Sequence, residues 1–409
     1  MTMSVQSKFD RLATDNAPGQ EVRQGGEALA ETMRGGPLDG VPVDFSHGDV
    51  DAHEPTPGAY EMFSAGVEAG GRQAYTEYRG DRGIRVEVAA RLARFTGAPV
   101  NPDEELIITP GTQGALFLAL ASTVARGDKV AIIRPDYFAN RKIVEFLEGE
   151  IVPVEIDYLR HEKGEAGLDL GGLQAAFEAG AKVLLFSNPN NPTGVVYSRA
   201  EIEAIAALAQ RFGATVIVDQ LYSRLVYSGV DYTHLRALSG DSAVVTIMGP
   251  SKTESLSGYR LGVAFGTASI ISRMEKLQAI VSLRAPGYNQ AVLRTWFNEP
   301  EGWMADRTAQ HEALRDALLA RFRRVQDIAV RTPEAGSYLF LKLPRLSVSN
   351  ADFVKLLRLQ AGITVTIGTE FSPDCGDSIR LNFSQNHAGA LAAADRLCTM
   401  IDLYREGAQ

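Results

Sequence analysis

The stretch VLLFSNPNNPTG, residues 183–194, joins an apolar run to a turn rich in asparagine and proline, and this order of strand and loop sets the fold. Residues 183–186 have the apolar and β-branched side chains of a buried strand. The run that follows can neither continue a strand nor enter a helix, because proline fixes the backbone and lacks an N–H donor. It is longer than a connection requires, and its two Asn-Pro steps allow Asn191 to present its amide in a set direction.

Short β-rich runs alternate with helical patterns from about residue 104 to residue 266. The runs cover residues 106–109, 129–133, 183–187, 215–219, 244–248 and 262–265. Such alternation predicts an α/β fold in which helices wrap a mainly parallel sheet. No Gly-x-Gly-x-x-Gly motif joins any of these strands to a helix, which argues against a dinucleotide-binding domain.

The pattern changes after about residue 295. A long charged helix is predicted over residues 306–325, a strand over residues 336–343 and a final helix over residues 387–404. This mixture predicts an α+β unit at the C-terminal end of the chain.

The composition is that of a globular enzyme. The chain has 409 residues, of which 45% are hydrophobic and 22% charged, enough for two or three domains with large cores. A net charge of −9 argues against a nucleic-acid partner, which would require a basic face. Two cysteines, Cys375 and Cys398, provide no disulfide framework and no metal cluster. The histidines form no His-Glu-x-x-His pattern, so no metal site is expected.

The N-terminal residues are polar, with Lys8, Asp10 and Arg11 where a secretory peptide would need an apolar stretch. The longest apolar stretch of helical character, residues 115–125, is far shorter than the roughly 20 residues that span a bilayer. We therefore expect a cytoplasmic protein that does not contact a membrane.

Lys252 closes the sequence Gly-Pro-Ser-Lys at residues 249–252, directly after an apolar run. An amine attacks carbonyl carbon when its surroundings favour the neutral form, and the guanidinium of Arg260 favours that form by repulsion. Asp219 ends another apolar run, with Tyr222 three residues on, and an acid at the carboxyl end of an α/β strand faces the crevice where ligands bind. A pyridoxal phosphate site needs these groups: a lysine for the Schiff base, a carboxylate on the ring nitrogen and donors to the ring oxygen.

In these motifs the chain resembles the fold-type I, class I/II aminotransferases, the family that includes aspartate and tyrosine aminotransferases. The resemblance extends from about residue 40 to the end and rests on Asn-Pro-Thr-Gly at 191–194, Asp219 with Tyr222, Ser251-Lys252 with Arg260, and IRLNFS at 379–384. It implies a large cofactor-binding domain, with a mainly parallel sheet of seven strands flanked by helices, and a small α+β domain. We expect residues 61–294 to form the large domain, and residues 295–409 to form the small one with help from residues 1–60.

The phosphate of the cofactor has a predicted seat at residues 109–115, where a strand ends and a helix begins. Free N–H groups and the helix dipole favour an anion there, and Gly111 allows close approach of the backbone. The resemblance implies contacts from Thr112, Gln113, Ser251 and Arg260. One position departs from the family: Gly249 stands where relatives often have a hydroxyl residue, so we expect one phosphate hydrogen bond to be missing or supplied by water.

The resemblance also implies the contacts of the cofactor ring. Tyr137 would stack on the ring, Asn191 and Tyr222 would donate to its 3-oxygen, and Asp219 would keep its nitrogen protonated. Lys252 would form the Schiff base.

Arg380 marks the substrate side, because IRLNF at residues 379–383 alternates like a strand and places one guanidinium among apolar neighbours. The two parallel N–H donors of its guanidinium suit a bidentate pair with an α-carboxylate. The resemblance adds Asn191 and the backbone of Gly48 as substrate contacts. Arg284 is a candidate for the distal group of a dicarboxylate, while aromatic and neutral aliphatic substrates stay open because Tyr60, Tyr75 and Tyr288 could build an apolar pocket.

Tyr78 matches a tyrosine that reaches the phosphate of the neighbouring subunit in family dimers. The resemblance thus implies a homodimer with shared active sites.

The implied reaction is transamination: the α-amino group of an L-amino acid passes to a 2-oxo acid in two half reactions, with ping-pong kinetics. A lyase, decarboxylase or cyclising enzyme could use the same cofactor residues, because the reaction type depends on which Cα bond lies perpendicular to the ring. A non-catalytic binding protein that kept the fold is a third alternative.

Overall fold

The structure is a computed structural model that describes residues 5–12, 29, 32–47, 52–160 and 164–407. Within these residues the chain forms twelve α-helices and twelve β-strands. The helices are α1 (Val5–Asp10), α2 (Ala59–Glu68), α3 (Gly71–Ala74), α4 (Arg82–Thr96), α5 (Gly111–Ala121), α6 (Phe138–Phe146), α7 (Leu170–Glu178), α8 (Arg199–Phe212), α9 (Ala268–Val281), α10 (Trp303–Phe322), α11 (Asn350–Ala361) and α12 (His387–Tyr404). The strands are β1 (Val43–Asp44), β2 (Leu106–Pro110), β3 (Lys129–Arg134), β4 (Glu150–Glu155), β5 (Ala181–Ser187), β6 (Thr215–Asp219), β7 (Val244–Met248), β8 (Leu261–Gly266), β9 (Tyr338–Lys342), β10 (Ile363–Thr364), β11 (Thr366–Ile367) and β12 (Ser378–Asn382).

The largest sheet has seven strands in the order β2-β8-β7-β6-β5-β3-β4. Strand β8 runs antiparallel to both of its neighbours, and every other pair is parallel. Alternate residues of each strand point to opposite faces. Val183 and Leu185 of β5 thus join the core beneath α5 and α9, whereas Leu184 and Phe186 join the core beneath α7 and α8. The predicted mainly parallel sheet flanked by helices is confirmed.

One strand of this sheet was not predicted from the residues. Strand β4 carries Pro153 in its interior and glutamate at both ends, a composition that does not read as a strand. It lies at the edge of the sheet and pairs on one side only, with β3. A proline is tolerated at an edge, because there the missing N–H breaks no ladder on the open side.

Two smaller sheets lie toward the C-terminal end. Strands β11, β12 and β9 form an antiparallel sheet, and β1 near the N-terminus pairs in parallel with β10. Their apolar residues pack with α10, α11 and α12 in one core. The predicted final helix is confirmed as α12, where the side chain of Asn386 caps the backbone N–H of Gly389. The predicted charged helix is α10, which begins and ends three residues earlier than expected.

The strand directions bring several chain segments to one edge of the large sheet. Strands β3, β5, β6 and β7 are parallel, so their carboxyl ends meet there. Strand β2 ends at the same edge, because it is antiparallel to β8 and β8 is antiparallel to β7. None of the helices among the residues described is both long enough and apolar enough to cross a membrane.

Candidate active site

A cavity of about 420 Å³ opens at this edge, between the large sheet and the sheet that contains β12. Ten of the predicted site residues line it: Thr112, Gln113, Tyr137, Asn191, Asp219, Tyr222, Ser251, Lys252, Arg260 and Arg380. They come from segments separated by up to 268 positions and from two different sheets, so the tertiary fold brings them together. In the described part of the chain, no group of histidine, cysteine or acidic side chains is arranged to hold a metal ion.

The anion seat is built around the first turn of α5, which has no side-chain cap, so its leading N–H groups are free to bind a ligand. Gly111 has a φ of 73°, and a Cβ there would lie 2.4 Å from Arg260 Nη2. A Cβ on Gly262 would lie 2.4 Å from the backbone nitrogen of Thr112. Only glycine at these positions lets the guanidinium approach the helix N-terminus, and the resulting cradle suits a phosphate group.

Steric crowding near the first turn of α5 also explains why residue 249 is a glycine. A Cβ at this position would lie 2.9 Å from Thr112 Cγ2 and 3.1 Å from the carbonyl oxygen of Leu261. Any larger residue would have to displace Thr112 or the backbone of β8. The missing or water-mediated phosphate hydrogen bond stays a prediction, but the glycine itself follows from the position of Thr112.

The loop after β5 is held by a buried carboxyl. Asp136 accepts a hydrogen bond from the backbone N–H of Ser187 at 2.8 Å and another from the Ser187 hydroxyl. The Ser187 Oγ in turn accepts from the backbone N–H of Asn191 at 3.0 Å. Asn190 accepts from the Thr193 hydroxyl at 2.6 Å and closes the turn. These bonds fix the backbone at Asn191, so the hydrogen bonds of the turn determine where its side chain points.

Asp219 lies at the end of β6 and faces the cavity. Burial raises the pKa of its carboxyl to about 6, while a hydrogen bond from the backbone N–H of Leu221 opposes the rise. Among the described residues this is the only hydrogen bond to its side chain. A buried carboxylate with a free oxygen favours a cationic N–H donor, and the protonated nitrogen of a pyridine ring is such a donor.

Lys252 lies in the turn after β7, and part of its side chain is open to the cavity. Burial, and then the charges of Arg380 and Arg260, lower the pKa of its amine to about 8. The predicted repulsion by Arg260 is therefore present but is smaller than the effect of burial. The turn is also conformationally unusual, since Ser255 and Arg260 adopt left-handed φ angles of 56° and 53°.

Buried ion pairs join the turn of Lys252 to the turn that follows β6. Glu254 is fully buried and pairs with the guanidinium of Arg224, which also pairs with Glu299 at 2.7 Å. Because Arg224 follows Tyr222 by two residues, these pairs hold the tyrosine and the lysine in a fixed relation.

The Arg380 guanidinium is held by uncharged acceptors. It donates to Asn191 Oδ1 at 3.1 Å, to the carbonyl of Ser46 at 2.6 Å and to Thr366 Oγ1 at 3.2 Å. Among the described residues, its buried Nε has no hydrogen-bond partner and no carboxylate pairs with the side chain. A buried guanidinium without an anion is costly, so this group favours an anionic ligand. The bond to Asn191 Oδ1 leaves the amide nitrogen of Asn191 to donate into the cavity.

The cavity residues that the sequence analysis missed include three polar ones from the smaller sheet: Tyr338, Thr366 and Asn382. Strand periodicity could have found Asn382, because it lies two residues from Arg380 and so shares its face. Tyr338 and Thr366 required the strand register, in which Tyr338 lies opposite Asn382 and Thr366 opposite Arg380.

The N-terminal segment reaches the cavity through Ser46 and His47. His53 does not line it and instead stacks on His311, with ring centroids 4.5 Å apart. Gly48 lies outside the described residues, so its predicted place over the substrate is untested.

Tyr78 and Arg284 do not line the cavity of their own chain. They lie together on the surface, where the Arg284 guanidinium is 5.4 Å from the Tyr78 ring and 4.9 Å from the Tyr75 ring. Tyr60, Tyr75 and Tyr288 are likewise exposed, at 70%, 78% and 37%, and none of them lines the cavity.

Residues 43–397 match the family model for aminotransferase class I and II. The solved structure of an aspartate aminotransferase from Rhodobacter sphaeroides 2.4.1 is 66% identical, covers 98% of this chain and 100% of its own, and superposes with a TM-score of 0.94. More distant relatives differ in substrate. An aspartate aminotransferase from Sulfolobus acidocaldarius is 27% identical over 77% of this chain and 79% of its own. The arginine–pyruvate transaminase AruH from Pseudomonas aeruginosa is 24% identical over 91% of each chain. With its fold and its cavity residues, the chain belongs to the class I and II aminotransferase family and is a pyridoxal-phosphate-dependent transaminase.

Proposed function

We propose that the enzyme transfers the α-amino group of a dicarboxylic L-amino acid, aspartate or glutamate, to a 2-oxo acid. The observation that carries the proposal is Arg380, whose buried Nε has no hydrogen-bond partner among the described residues and which lines the same cavity as Lys252. An α-carboxylate would supply the missing anion. The choice of a dicarboxylate is supported by the 66% identical aspartate aminotransferase and by Arg284, whose half-buried side chain has an Nε without a hydrogen-bond partner among the described residues.

The cavity residues divide by the part of the cofactor that they suit. Thr112, Gln113, Ser251, Arg260 and the backbone at Gly111 would hold the phosphate. Tyr137 would cover the ring, Asp219 would hold the proton of the ring nitrogen, and Asn191 and Tyr222 would donate to the ring oxygen. When bound, pyridoxal phosphate withdraws electrons from the α-carbon of the substrate and so acidifies its C–H bond.

Lys252 supplies the base for this step. The neutral Nζ takes the proton from the substrate α-carbon, and the ammonium form gives it up again later in the cycle. A base with a pKa of about 8 is well matched to this task, because both of its protonation states are accessible near neutral pH. Arg380 holds the carboxylate and thereby fixes the direction of the C–H bond toward Nζ.

The proposed assembly is a homodimer in which each active site uses residues of both chains. The surface around Tyr78 and Arg284 supports it, because Tyr75, whose ring contacts Arg284, is 78% exposed and Leu283, the chain neighbour of Arg284, is 52% exposed. Large apolar side chains gathered on one face are typical of an interaction surface. In such a dimer Tyr78 would reach the phosphate, and Arg284 the substrate side chain, of the opposite site.

We also propose a cytoplasmic location, supported by the two free cysteines, and no nucleic-acid partner, supported by the acidic charge. The proposed domain division is residues 61–294 for the large domain and 295–409, with 1–60, for the small one. The pairing of β1 with β10 supports the assignment of the N-terminal segment.

The substrate is tested by adding single amino acids to the purified enzyme without any 2-oxo acid. Aspartate or glutamate should convert the visible absorbance of the bound cofactor to that of its amine form, and aromatic amino acids should do so far less efficiently. Arg284→Leu should weaken the dicarboxylates selectively, whereas Arg284→Lys, which keeps the charge, should weaken them less. An unchanged substrate profile in Arg284→Leu would reject the role of this residue.

The shared site is tested by co-expression of Lys252→Ala with Tyr78→Ala. Each variant alone should be nearly inactive. Random pairing would place one intact site in half of the dimers, so the mixture should recover about a quarter of the wild-type activity. No recovery would contradict a site built from two chains.

A further inference from the structure

Two tyrosines meet inside the cavity. The hydroxyl oxygens of Tyr222 and Tyr338 lie 2.5 Å apart, and their rings meet edge to face with centroids 5.1 Å apart. Tyr222 follows β6 of the large sheet, whereas Tyr338 begins β9 of the smaller sheet. Both side chains are buried, at 5% exposure each. The bond therefore joins the cofactor side of the cavity to the element that carries the substrate arginine.

The direction of this bond decides what Tyr222 can do. Each phenol has one proton to donate. If Tyr222 donated to Tyr338, it would have no proton left for a ligand in the cavity. If Tyr338 donates instead, the Tyr222 oxygen is satisfied as an acceptor and its proton is free for the ring oxygen of the cofactor.

The geometry of the bond is compatible with either hydroxyl as the donor, and the position of Arg380 favours Tyr338. The Arg380 guanidinium lies 4.5 Å from the centroid of its ring, and a cation on a phenol face makes the hydroxyl a better donor and a poorer acceptor. Among the described residues, Tyr222 is the only hydrogen-bond partner of the Tyr338 hydroxyl.

We propose that Tyr338 is a positioning residue whose hydroxyl donates to Tyr222 and thereby commits the Tyr222 proton to the ring oxygen of the bound cofactor. The proposal rests on the assignment of Tyr222 made under the proposed function. The Tyr338 ring would then connect Arg380, which receives the substrate carboxylate, to Tyr222, which donates to the cofactor.

The test is a pH titration of the visible absorbance of the holoenzyme, compared among wild type, Tyr338→Phe, Tyr222→Phe and the double variant. A donor to the ring oxygen lowers the proton affinity of the cofactor's link to Lys252. Tyr338→Phe should therefore raise the apparent pKa of the absorbance change by up to roughly half a unit, because the bond from Tyr222 is weakened but not lost. Tyr222→Phe should raise it at least as far. The double variant should match Tyr222→Phe, because Tyr338 acts only through Tyr222.

Ser337→Ala is the matched control, because it removes another hydroxyl close to Tyr222. It should shift the titration less than Tyr338→Phe, and an equal shift would overturn the assignment to Tyr338. Phenylalanine keeps the ring beneath Arg380, so the KM for the amino acid should change less than about twofold.

The remaining outcomes separate the two proposals. If Tyr222→Phe leaves the titration unchanged, the assignment of Tyr222 itself fails. If Tyr222→Phe shifts the titration but Tyr338→Phe does not, or if the two shifts add in the double variant, only the role of Tyr338 is overturned. A large rise in KM without a spectral shift would show that Tyr338 acts through Arg380 instead.

Discussion

Replacing Lys252 with methionine should stabilise the cofactor-free protein near neutral pH, although it abolishes turnover. The wild-type amine has a pKa of about 8, below its ordinary value of 10.5, chiefly because of burial. Folding at pH 7 therefore places a charged amine in a site that disfavours the charge. At about 1.4 kcal/mol for each pH unit, the penalty is about 3 kcal/mol. This figure is an upper limit, because the cavity can admit water to the amine. Methionine has a similar length and no charge to bury.

The sign of the pH dependence follows from proton binding. Between pH 8 and pH 10.5 the unfolded wild-type chain binds a proton at Lys252 that the folded chain has lost, so the free energy of unfolding rises with pH in this window. The advantage of Lys252→Met should accordingly shrink from about 3 kcal/mol at pH 7 to about 1 kcal/mol at pH 10.

The assay is urea unfolding of cofactor-free wild type and variant at both pH values. Lys182→Met is the control, because Lys182 is 70% exposed and its ion pair with Asp128 should contribute less than about 1 kcal/mol. A variant that is less stable than wild type at pH 7, or an advantage that does not change with pH, would refute the reasoning.

Three further predictions concern the ion pairs and the ligand contacts. Arg224→Met should lower the free energy of unfolding by about 3–5 kcal/mol, because it leaves Glu254 and Glu299 buried without their cation. Glu254→Gln should cost clearly less, since Arg224 still pairs with Glu299. Equal costs of the two variants in urea unfolding would contradict this account. Arg380→Lys should raise the KM for the amino acid roughly 10- to 100-fold in steady-state kinetics, because an ammonium cannot pair bidentately with a carboxylate, and an unchanged KM would remove Arg380 from the substrate site. Asp219→Asn should lower kcat at least about a hundredfold by withdrawing the charge that holds the ring proton, and a kcat within a few-fold of wild type would show that the proton is held otherwise.

The fold was predictable where local signals agree. The buried strands of the large sheet are short apolar runs bounded by turn residues, and β6 and β7 lie where the sequence places them. Strand β4 was not predicted because its stability comes from pairing with β3 and not from its own composition. Helix α10 begins earlier than predicted because Gly302 precedes it in a left-handed conformation and no side-chain cap marks the start in the sequence.

The site was predictable where the chemistry lies directly after a strand, as at Asp219 and Lys252. Sequence could not reveal Tyr338, because its place in the cavity depends on the register of β9 against β12. Nor could it explain Gly249, whose small size is required by a side chain that is distant in sequence, Thr112. Within one chain Arg284 remains outside the cavity, so its predicted role depends on a second chain.

The left-handed backbone at Ser255 and Arg260 sets a limit on how this enzyme can adapt to heat. Each of these conformations costs roughly 1–2 kcal/mol for a residue that has a Cβ, and glycine would adopt them freely. Glycine at Ser255 would relieve the strain but would also remove the hydroxyl that Arg307 contacts at 2.9 Å. Glycine at Arg260 would remove the guanidinium from the anion seat. At Ser255 the lost hydrogen bond would offset the relief of strain, and at Arg260 the gain in stability would come with a damaged anion seat. Variants that gain thermal tolerance without loss of activity should therefore carry their changes outside residues 249–260.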